Sequence, residues 1–341
     1  MTYSQGNVIL AADFNNFSGN GVSGPNVNAT WNATYGQPAL GTVNANGTVS
    51  AAIWSTMNTY VANMALHQGS VTTVTSRSGP TFGQVITAQT NLATDIANCY
   101  TNRFSANTVG SQYTGYTGTS YFATNIGNTG GNIKGAWTAT FTDTITFANS
   151  TAANAWFNCG GYIKIQFNKS SVGTTADVEW NQFIGNIASG GAVTGTVANA
   201  VIITSDANSK VIAGTTYLGT NQIGGTGTPT ILGNTIGFNQ MTTSGNIVYK
   251  QLDSGAIYGG NYVQITATKN ATGNVITLST VWFDAGDTSI GGQTTISGGT
   301  TTTGITFGTG PATVVTLYPP EIGNIANVWG SFTVASSVAN T

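Results

Sequence analysis

The chain has 341 residues, and only 5% of them are charged, which gives a formal net charge of -2 at pH 7. An ordinary soluble domain is about 25% charged, but the apolar fraction of 40% is too high for an intrinsically disordered chain. The eight Lys and Arg residues run from Arg77 to Lys269 with no two adjacent, which argues against nucleic-acid binding. So little charge favours a surface covered by neighbours, as in a homo-oligomer or a large assembly. A polar surface rich in Asn and Thr, which could keep a monomer soluble, is the alternative.

The N-terminal sequence MTYSQGNVILAADFNN has neither the basic start nor the long apolar core of a signal peptide. No run approaches the ~18 apolar residues needed to cross a bilayer, so we expect no membrane insertion. We therefore expect synthesis in a cytoplasm without export by the general secretory route. Together with a composition common among extracellular β proteins, this is typical of virion proteins that are released by lysis.

Residues 1 to about 108 are predicted to be helical. The clearest helix is AAIWSTMNTYVANMAL, where apolar residues recur at helical spacing from Ile53 to Met64. It follows Ser50, and Gly69 is the candidate for its C-terminal cap. Shorter helices are predicted over VILAADFNNF and over residues 25–34. A further helix over residues 82–104 is expected to pack with the clearest one as an antiparallel hairpin.

A strand–helix–strand unit is predicted over residues 137–167. WTATFTDTITF and YIKIQF alternate apolar and polar residues with the period of half-buried strands. Between them, Ser150 or Thr151 is the predicted N-cap of a short helix, and Gly160 with Gly161 ends it. We expect this unit to close the end of a β-sandwich.

Beyond residue 110 the chain is rich in turn residues and short alternating segments, the pattern of a sandwich or jelly roll. The predicted fold class is α+β: a small helical region over 1–108 for docking or assembly, a Gly- and Tyr-rich linker over 109–135, and a mainly antiparallel, jelly-roll-like β-sandwich over 136–341. Within the sandwich a helix is predicted at 175–187, and further strands at 197–205, 215–218, 246–252, 262–269, 275–284, 304–307 and 314–318.

Few residues have the form of a catalytic or metal site. His67 is the only histidine, and we expect it to hydrogen-bond carbonyl groups of the last turn of its helix rather than to serve in a catalytic triad. Structural zinc needs four closely spaced Cys or His ligands, whereas His67, Cys99 and Cys159 are scattered. The two cysteines are predicted to be buried free thiols, with a disulfide as the less favoured alternative.

The acidic pairs Asp177–Glu179 and Asp284–Asp287 could serve a glycosidase, and the segment FDAGDTS around the second pair could also bind calcium loosely. Caps of turns are the favoured interpretation of both pairs. Gly-rich runs such as the one at Gly224 lack the Lys-Ser/Thr sequence of a phosphate-binding loop. We therefore predict no enzyme and no catalytic, cofactor-binding or metal site, and expect no cofactor. A Tyr-rich segment from Tyr113 to Phe122 suits protein interfaces or sugar stacking, although packing between the helical and β parts is favoured.

Several segments carry a family resemblance that extends over essentially the whole chain: YSQGNVILAADFNNFSG, VNATWNATYGQ, MALHQGS, ANCYTNRF, AWFNCGGYIKIQF, YVQITA, LSTVWFDAGD and YPPEIGNIANVWGSFTV. The chain resembles virion structural proteins of tailed bacteriophages, notably contractile-tailed marine cyanophages. The resemblance implies a non-enzymatic, tail-associated virion component that assembles with copies of itself and with other virion proteins. The alternatives are a receptor-binding adhesin for host surface glycans or a capsid-surface decoration protein, and a glycan-cleaving tailspike is least favoured.

Overall fold

The computed structural model describes the chain in fourteen segments. The described residues are 10–19, 23–76, 79–80, 91–106, 117–121, 137–168, 180–181, 183–184, 200–206, 210–211, 230–231, 236–253, 260–285 and 312–340. Contacts within the chain define two compact units that alternate along the sequence. The first comprises Met1–Gln112, Ala148–Gly161 and Pro319–Ser331, and the second Tyr113–Phe147, Tyr162–Tyr318 and Phe332–Thr341.

The described part of the first unit contains five α-helices. They are α1 (Ala11–Ser18), α2 (Val27–Trp31), α3 (Ala51–Gln68), α4 (Leu92–Thr101) and α5 (Ser150–Asn158). The predicted ends of α3 are confirmed: Ser50 accepts a hydrogen bond from the backbone of Ile53 at 3.3 Å, and Gly69 follows with a φ of 67°. Aromatic and aliphatic side chains of these helices form the core of the unit, with Phe14, Trp54, Met57 and Leu92 fully buried.

The helix predicted over 82–104 begins later than expected, at Leu92. Asn91 has a φ of 60°, a left-handed conformation that a continuous right-handed helix does not allow. Residues 81–90 lie outside the described part of the chain. Asparagine adopts this conformation more readily than most residues because its short side chain can hydrogen-bond locally, so an Asn inside an apolar pattern is the signal that marks this boundary.

The second unit contains two antiparallel sheets. In the five-stranded sheet the order is β1 (Thr117–Tyr121), β10 (Ala312–Tyr318), β3 (Tyr162–Asn168), β4 (Val201–Ile203) and β5 (Lys210–Val211). In the six-stranded sheet it is β11 (Phe332–Asn340), β2 (Trp137–Phe147), β9 (Val275–Asp284), β8 (Tyr262–Lys269), β7 (Asn246–Leu252) and β6 (Thr230–Ile231). The predicted α+β class with a β-sandwich-like domain is confirmed.

The two sheets pack face to face through the side chains that alternate inward along each strand. On β9 the inward residues are buried and their neighbours half-buried, as the two-residue period requires. Trp282 of β9 lies across the interface: its ring is 5.7 Å from that of Phe167 on β3, and its Nε1 donates to Thr313 Oγ1 on β10 at 3.3 Å. Trp180 packs on Trp282 at 5.4 Å.

Most predicted strands are present. The segments at 246–252, 262–269 and 275–284 have their predicted bounds, and that at 314–318 is extended to β10. In the segment at 197–205 the described residues form β4, and residues 197–199 lie outside the described part. In the predicted helix 175–187, the described residues make one helical hydrogen bond, from the Ile184 N–H to the Trp180 carbonyl at 3.0 Å. The strands predicted at 215–218 and 304–307 lie outside the described residues.

The strand–helix–strand unit at 137–167 has the predicted elements but not the predicted place. Strands β2 and β3 belong to different sheets, and α5 belongs to the first unit. Asn158 of α5 donates to the Thr34 carbonyl at 3.3 Å. The N-cap is Asn149, which accepts from the Ala152 N–H at 2.9 Å, rather than Ser150 or Thr151.

The glycines after α5 act as predicted. Gly160 has a φ of 99°, and a Cβ on Gly161 would lie 2.6 Å from the ring of Trp156. The chain can therefore turn sharply against this ring only because neither position carries a side chain.

The predicted domain boundaries at 108, 135 and 136 differ from the division of the chain into the two compact units described above. Both α5 and the segment Pro319–Ser331 lie within the predicted sandwich sequence but contact the helical unit. Gln37, for example, donates to the Ala326 carbonyl at 2.9 Å and accepts from the Ala326 N–H at 3.1 Å. Strand β1 lies inside the predicted linker and pairs with β10. The unit to which each of these segments belongs is set by contacts between residues far apart in the sequence, which composition cannot predict.

Candidate assembly surface

His67 is a core residue of the helical unit. Its side chain is 2% exposed, and its ring meets that of Tyr35 edge-on at 5.2 Å. The ring hydrogen-bonds the backbone of Cys159, and burial lowers the pKa of His67 to about 4. Among the described residues its Nε2 has no hydrogen-bond partner. The predicted bonds to the last turn of its own helix are therefore replaced by a bond that ties the end of α3 to the end of α5.

Gln68, the next residue, satisfies several buried polar groups around His67. Its Nε2 donates to the Tyr35 hydroxyl and to the Cys99 carbonyl, both at 2.8 Å, and its Oε1 accepts from Thr72 Oγ1 at 2.6 Å. Burial raises the pKa of the Tyr35 hydroxyl above its usual value. A neutral imidazole, a neutral phenol and an amide arranged in this way stabilise the packing of α3 and α4.

Both cysteines are free and fully buried, which confirms the predicted free thiols. The Cys99 sulfur lies 3.8 Å from the Val61 carbonyl, and the Cys159 sulfur lies 3.6 Å from the Tyr35 carbonyl. Burial raises the pKa of the Cys159 thiol. A thiol held in its protonated form inside the core is a poor nucleophile.

The described residues contain no group of three or more His, Cys, Asp or Glu side chains that could hold a metal ion. Asp284 is almost completely buried and accepts a hydrogen bond from Trp180 Nε1 at 3.3 Å. The other acidic candidates, Asp177, Glu179 and Asp287, and the Gly-rich run at 224–227 lie outside the described residues.

Two stacked aromatic pairs, which the sequence analysis did not single out, lie on the half-buried faces of the sheets. Tyr162 and Tyr318 are opposite each other on β3 and β10, with ring centroids 4.5 Å apart and planes 7° from parallel. Tyr262 and Phe283 are opposite each other on β8 and β9, 4.7 Å apart. The Tyr-rich segment that was singled out contributes strand β1, and its side chains lie outside the described residues.

The geometry of the second pair bears on sugar binding. Lys250 Nζ lies 3.9 Å from the ring centroid of Tyr262. Because Tyr262 is on β8, between β7 and β9, Lys250 covers one face of its ring and Phe283 covers the other. Sugars stack on open aromatic faces, so this ladder of side chains favours reinforcement of cross-strand pairing over a glycan platform.

Among the described strands, β11 is the longest that is terminal in its sheet. It pairs with β2 over nine residues without a break in register, and it is the terminal strand of its sheet. The other terminal strands are shorter: β5 and β6 have two residues each and β1 has five. Edge strands are usually protected by charge, proline, bulges or short length. The β11 sequence FTVASSVAN has no charge and no proline, and its pairing with β2 has no bulge.

The side chains of β11 extend the sandwich interior to this edge. Phe332 lies 5.6 Å from Phe147 on β2, so residues 332, 334, 336 and 338 share the inward face by alternation. Val338 on this face is 38% exposed. The row of inward side chains on β11 is therefore partly uncovered at Val338. Sequence alone does not show which strand is terminal, which is why this surface was missed.

Asp143 lies beneath the same edge. It is on the inward face of β2, opposite Ser336 in the register, and is fully buried. Its Oδ1 accepts a hydrogen bond from the Ser336 hydroxyl, while Oδ2 has no partner among the described residues. Burial raises the pKa of Asp143, and the bond from Ser336 opposes this effect. The contact ties the centre of β11 to its neighbour through an isolated carboxyl group.

Within the described residues, no helix combines the length and the apolar character needed to cross a membrane. Comparisons of the chain with protein-family models, with curated proteins and with solved structures find no match.

Proposed function

We propose that this chain is a non-enzymatic structural component of a bacteriophage virion, which assembles as repeated copies in the tail, a fibre or the baseplate. Its mechanism is assembly: exposed side chains of a terminal strand are buried against other subunits. Its partners are copies of itself and other virion proteins, its location is the virion, and it needs no cofactor.

The observation that carries the proposal is β11, a nine-residue strand without charge or proline that is terminal in its sheet among the described residues. In a protein that works alone, such an edge is a site of unwanted pairing. In a protein made to assemble, the exposed, uncharged side chains of such a strand provide a surface for contact with other subunits. The low charge of the chain, 8 basic and 10 acidic residues in 341, supports this proposal, because closely packed copies then repel one another little.

The adhesin for host glycans gains less support. The aromatic ladder beside Lys250 has its central ring covered on both faces, and a sugar ring would have to displace one of its neighbours. A capsid-surface decoration protein would use the same assembly chemistry at another place on the particle.

The first test is the mass of the purified full-length chain in solution, measured by light scattering over a range of concentrations. We expect oligomers that persist on dilution. The second test is labelling of purified phage particles with an antibody against the chain, and we expect labelling on the tail. Labelling on the head would support the decoration protein instead, and particles that lack the chain would refute a virion role.

A competition assay separates assembly from adhesion. Free full-length chain is added to host cells before infection, and phage adsorption is measured. We expect unchanged adsorption. A concentration-dependent block would support the adhesin, while a loss of glycan mass during incubation with purified host glycan would support an enzyme and contradict our proposal.

A further inference from the structure

Two polar side chains of the sandwich are buried without a complete set of hydrogen bonds. Among the described residues, Oδ2 of Asp143 on β2 and Oγ1 of Thr280 on β9 have no hydrogen-bond partner, and both residues are fully buried. Buried polar groups are almost always hydrogen-bonded, either to protein or to ordered water. We propose that one internal water molecule binds between these two atoms and joins β2 to β9 inside the sandwich. This site does not depend on the proposed function.

The register of the sheet makes the two side chains neighbours. Asp143 is directly opposite Leu278 on β9. Thr280 is the next residue of β9 on the same inward face, as the alternation of buried and half-buried residues along this strand shows. Diagonal neighbours of this kind have Cα atoms about 7–8 Å apart. Because the two side chains are short and do not bond each other directly, a single bridging water fits the gap between them.

The two oxygens of the Asp143 carboxyl group serve different strands. Strands β11 and β9 flank β2 on opposite sides. On the β11 side, Ser336 is directly opposite Asp143 and donates its hydroxyl hydrogen to Oδ1. The second oxygen, Oδ2, is therefore the one that remains for a partner on the β9 side, where Thr280 lies.

Solvent lies close to this part of the interior. Ser336 is exposed and Val338 is 38% exposed, although both are on the inward face of β11 by alternation. The row that crosses the sheet at Asp143 also has small side chains at Ser336 and at Ala267, which is opposite Leu278 on β8. A water molecule can therefore reach and occupy the side of the carboxyl group without unfolding of the sandwich.

Water fits these two atoms better than a metal ion does. Calcium takes six to eight oxygen ligands, whereas the register brings one carboxyl group and one hydroxyl together, and the described residues contain no group of side chains that could hold a metal. Water can donate to an ionised carboxylate or accept from a protonated carboxyl group, and it can do either with a hydroxyl. The bridge is therefore possible in both protonation states of Asp143.

The variant Thr280→Val tests the bridge, because valine has nearly the same shape as threonine but lacks the hydroxyl. If the hydroxyl bonds water, the substitution removes that bond, and we expect the midpoint of urea unfolding of the sandwich to fall. If the hydroxyl has no partner, valine removes an unsatisfied buried polar group and the midpoint should rise. A rise or an unchanged midpoint would overturn the proposal. The matched control is Thr277→Val on the outward face of β9, which measures the effect of valine on the strand itself.

A double-mutant cycle tests whether Asp143 is the other end of the bridge. In an Asp143→Leu background the water has lost its carboxyl partner, so we expect Thr280→Val no longer to lower the midpoint. The same loss in both backgrounds would show that the hydroxyl has a different partner and would overturn the bridge. Because Asp143→Leu also removes the bond from Ser336, circular dichroism checks that this variant folds.

A high-resolution crystal structure of the full-length chain gives a readout that does not depend on the Asp143 variant. We expect one ordered water within hydrogen-bond distance of both Asp143 Oδ2 and Thr280 Oγ1, and we expect it to lose its position between the strands in Thr280→Val. A direct bond between the two side chains, or two separate partners with no shared water, would overturn the proposal.

Discussion

The stability of the helical unit should fall on mild acidification because of a single buried histidine. His67 has an ordinary pKa of 6.5 in the unfolded chain and a pKa of about 4 in the folded protein. Below pH 6.5 the unfolded state takes up a proton that the folded state does not, so stability is lost as the pH falls towards 4 and stays level below it. At about 1.4 kcal/mol per pKa unit, the full loss is about 3 kcal/mol, of which about 2 kcal/mol is reached by pH 5.

The measurement is hydrogen exchange of peptides from α3, corrected for intrinsic rates, at pH 7.5 and pH 5. His67 is the only histidine in the chain, so no other imidazole contributes. The control is His67→Asn, whose polar side chain does not titrate. We expect the stability of α3 in the variant to be the same at pH 7.5 and pH 5, even if the substitution lowers it at both pH values. A wild-type chain without the loss, or a variant that keeps it, would refute the assignment to His67.

Three further predictions concern the sandwich and the thiols. The sandwich should gain stability on acidification, whereas the helical unit should lose it. Burial raises the pKa of Asp143 in the folded state, so the folded state takes up this proton at a higher pH than the unfolded state does. The gain in stability begins as the pH falls through the raised pKa and is complete below the ordinary value of 3.8. Exchange of β2 peptides measures it, and Asp143→Asn should abolish it. Trp282→Ala should lower the free energy of unfolding of the sandwich by about 3–5 kcal/mol through the cavity it leaves, whereas the outward-facing neighbour Val281→Ala should cost less than about 1 kcal/mol; equal losses in urea titrations would contradict the packing described. Finally, the two cysteines should not react with a thiol reagent in the native chain and should both react in denaturant; fast native labelling of either would contradict their burial.

Local pattern was sufficient to predict most elements and the α+β class. The alternation in WTATFTDTITF and the apolar stripe of α3 follow directly from which side chains are buried. The bounds of β2 and α3 were therefore predicted closely. The start of α4 was missed, because the left-handed conformation of Asn91 interrupts a pattern that otherwise reads as one helix.

The candidate surface was not predictable in the same way. An edge strand and a central strand can have the same alternating sequence, and only the pairing order shows that β11 is terminal. The assignment of α5 to the helical unit depends on contacts such as that between Asn158 and Thr34, which are 124 positions apart. The interior position of His67 likewise depends on Cys159, a residue far along the chain.

The alternation of the two units along the chain has a practical consequence for truncation. Passing from residue 1 to residue 341, the chain changes unit five times. No single cut therefore separates them: a fragment starting at residue 110 would carry α5 and the segment Pro319–Ser331 without the helices they pack against, and a fragment ending at 112 would lack both. Isolating the sandwich requires replacing residues 148–161 and 319–331 by short linkers, so that three strand-bearing segments are rejoined in one polypeptide. Proteolysis should likewise yield nicked chains that remain associated rather than two freely separating domains.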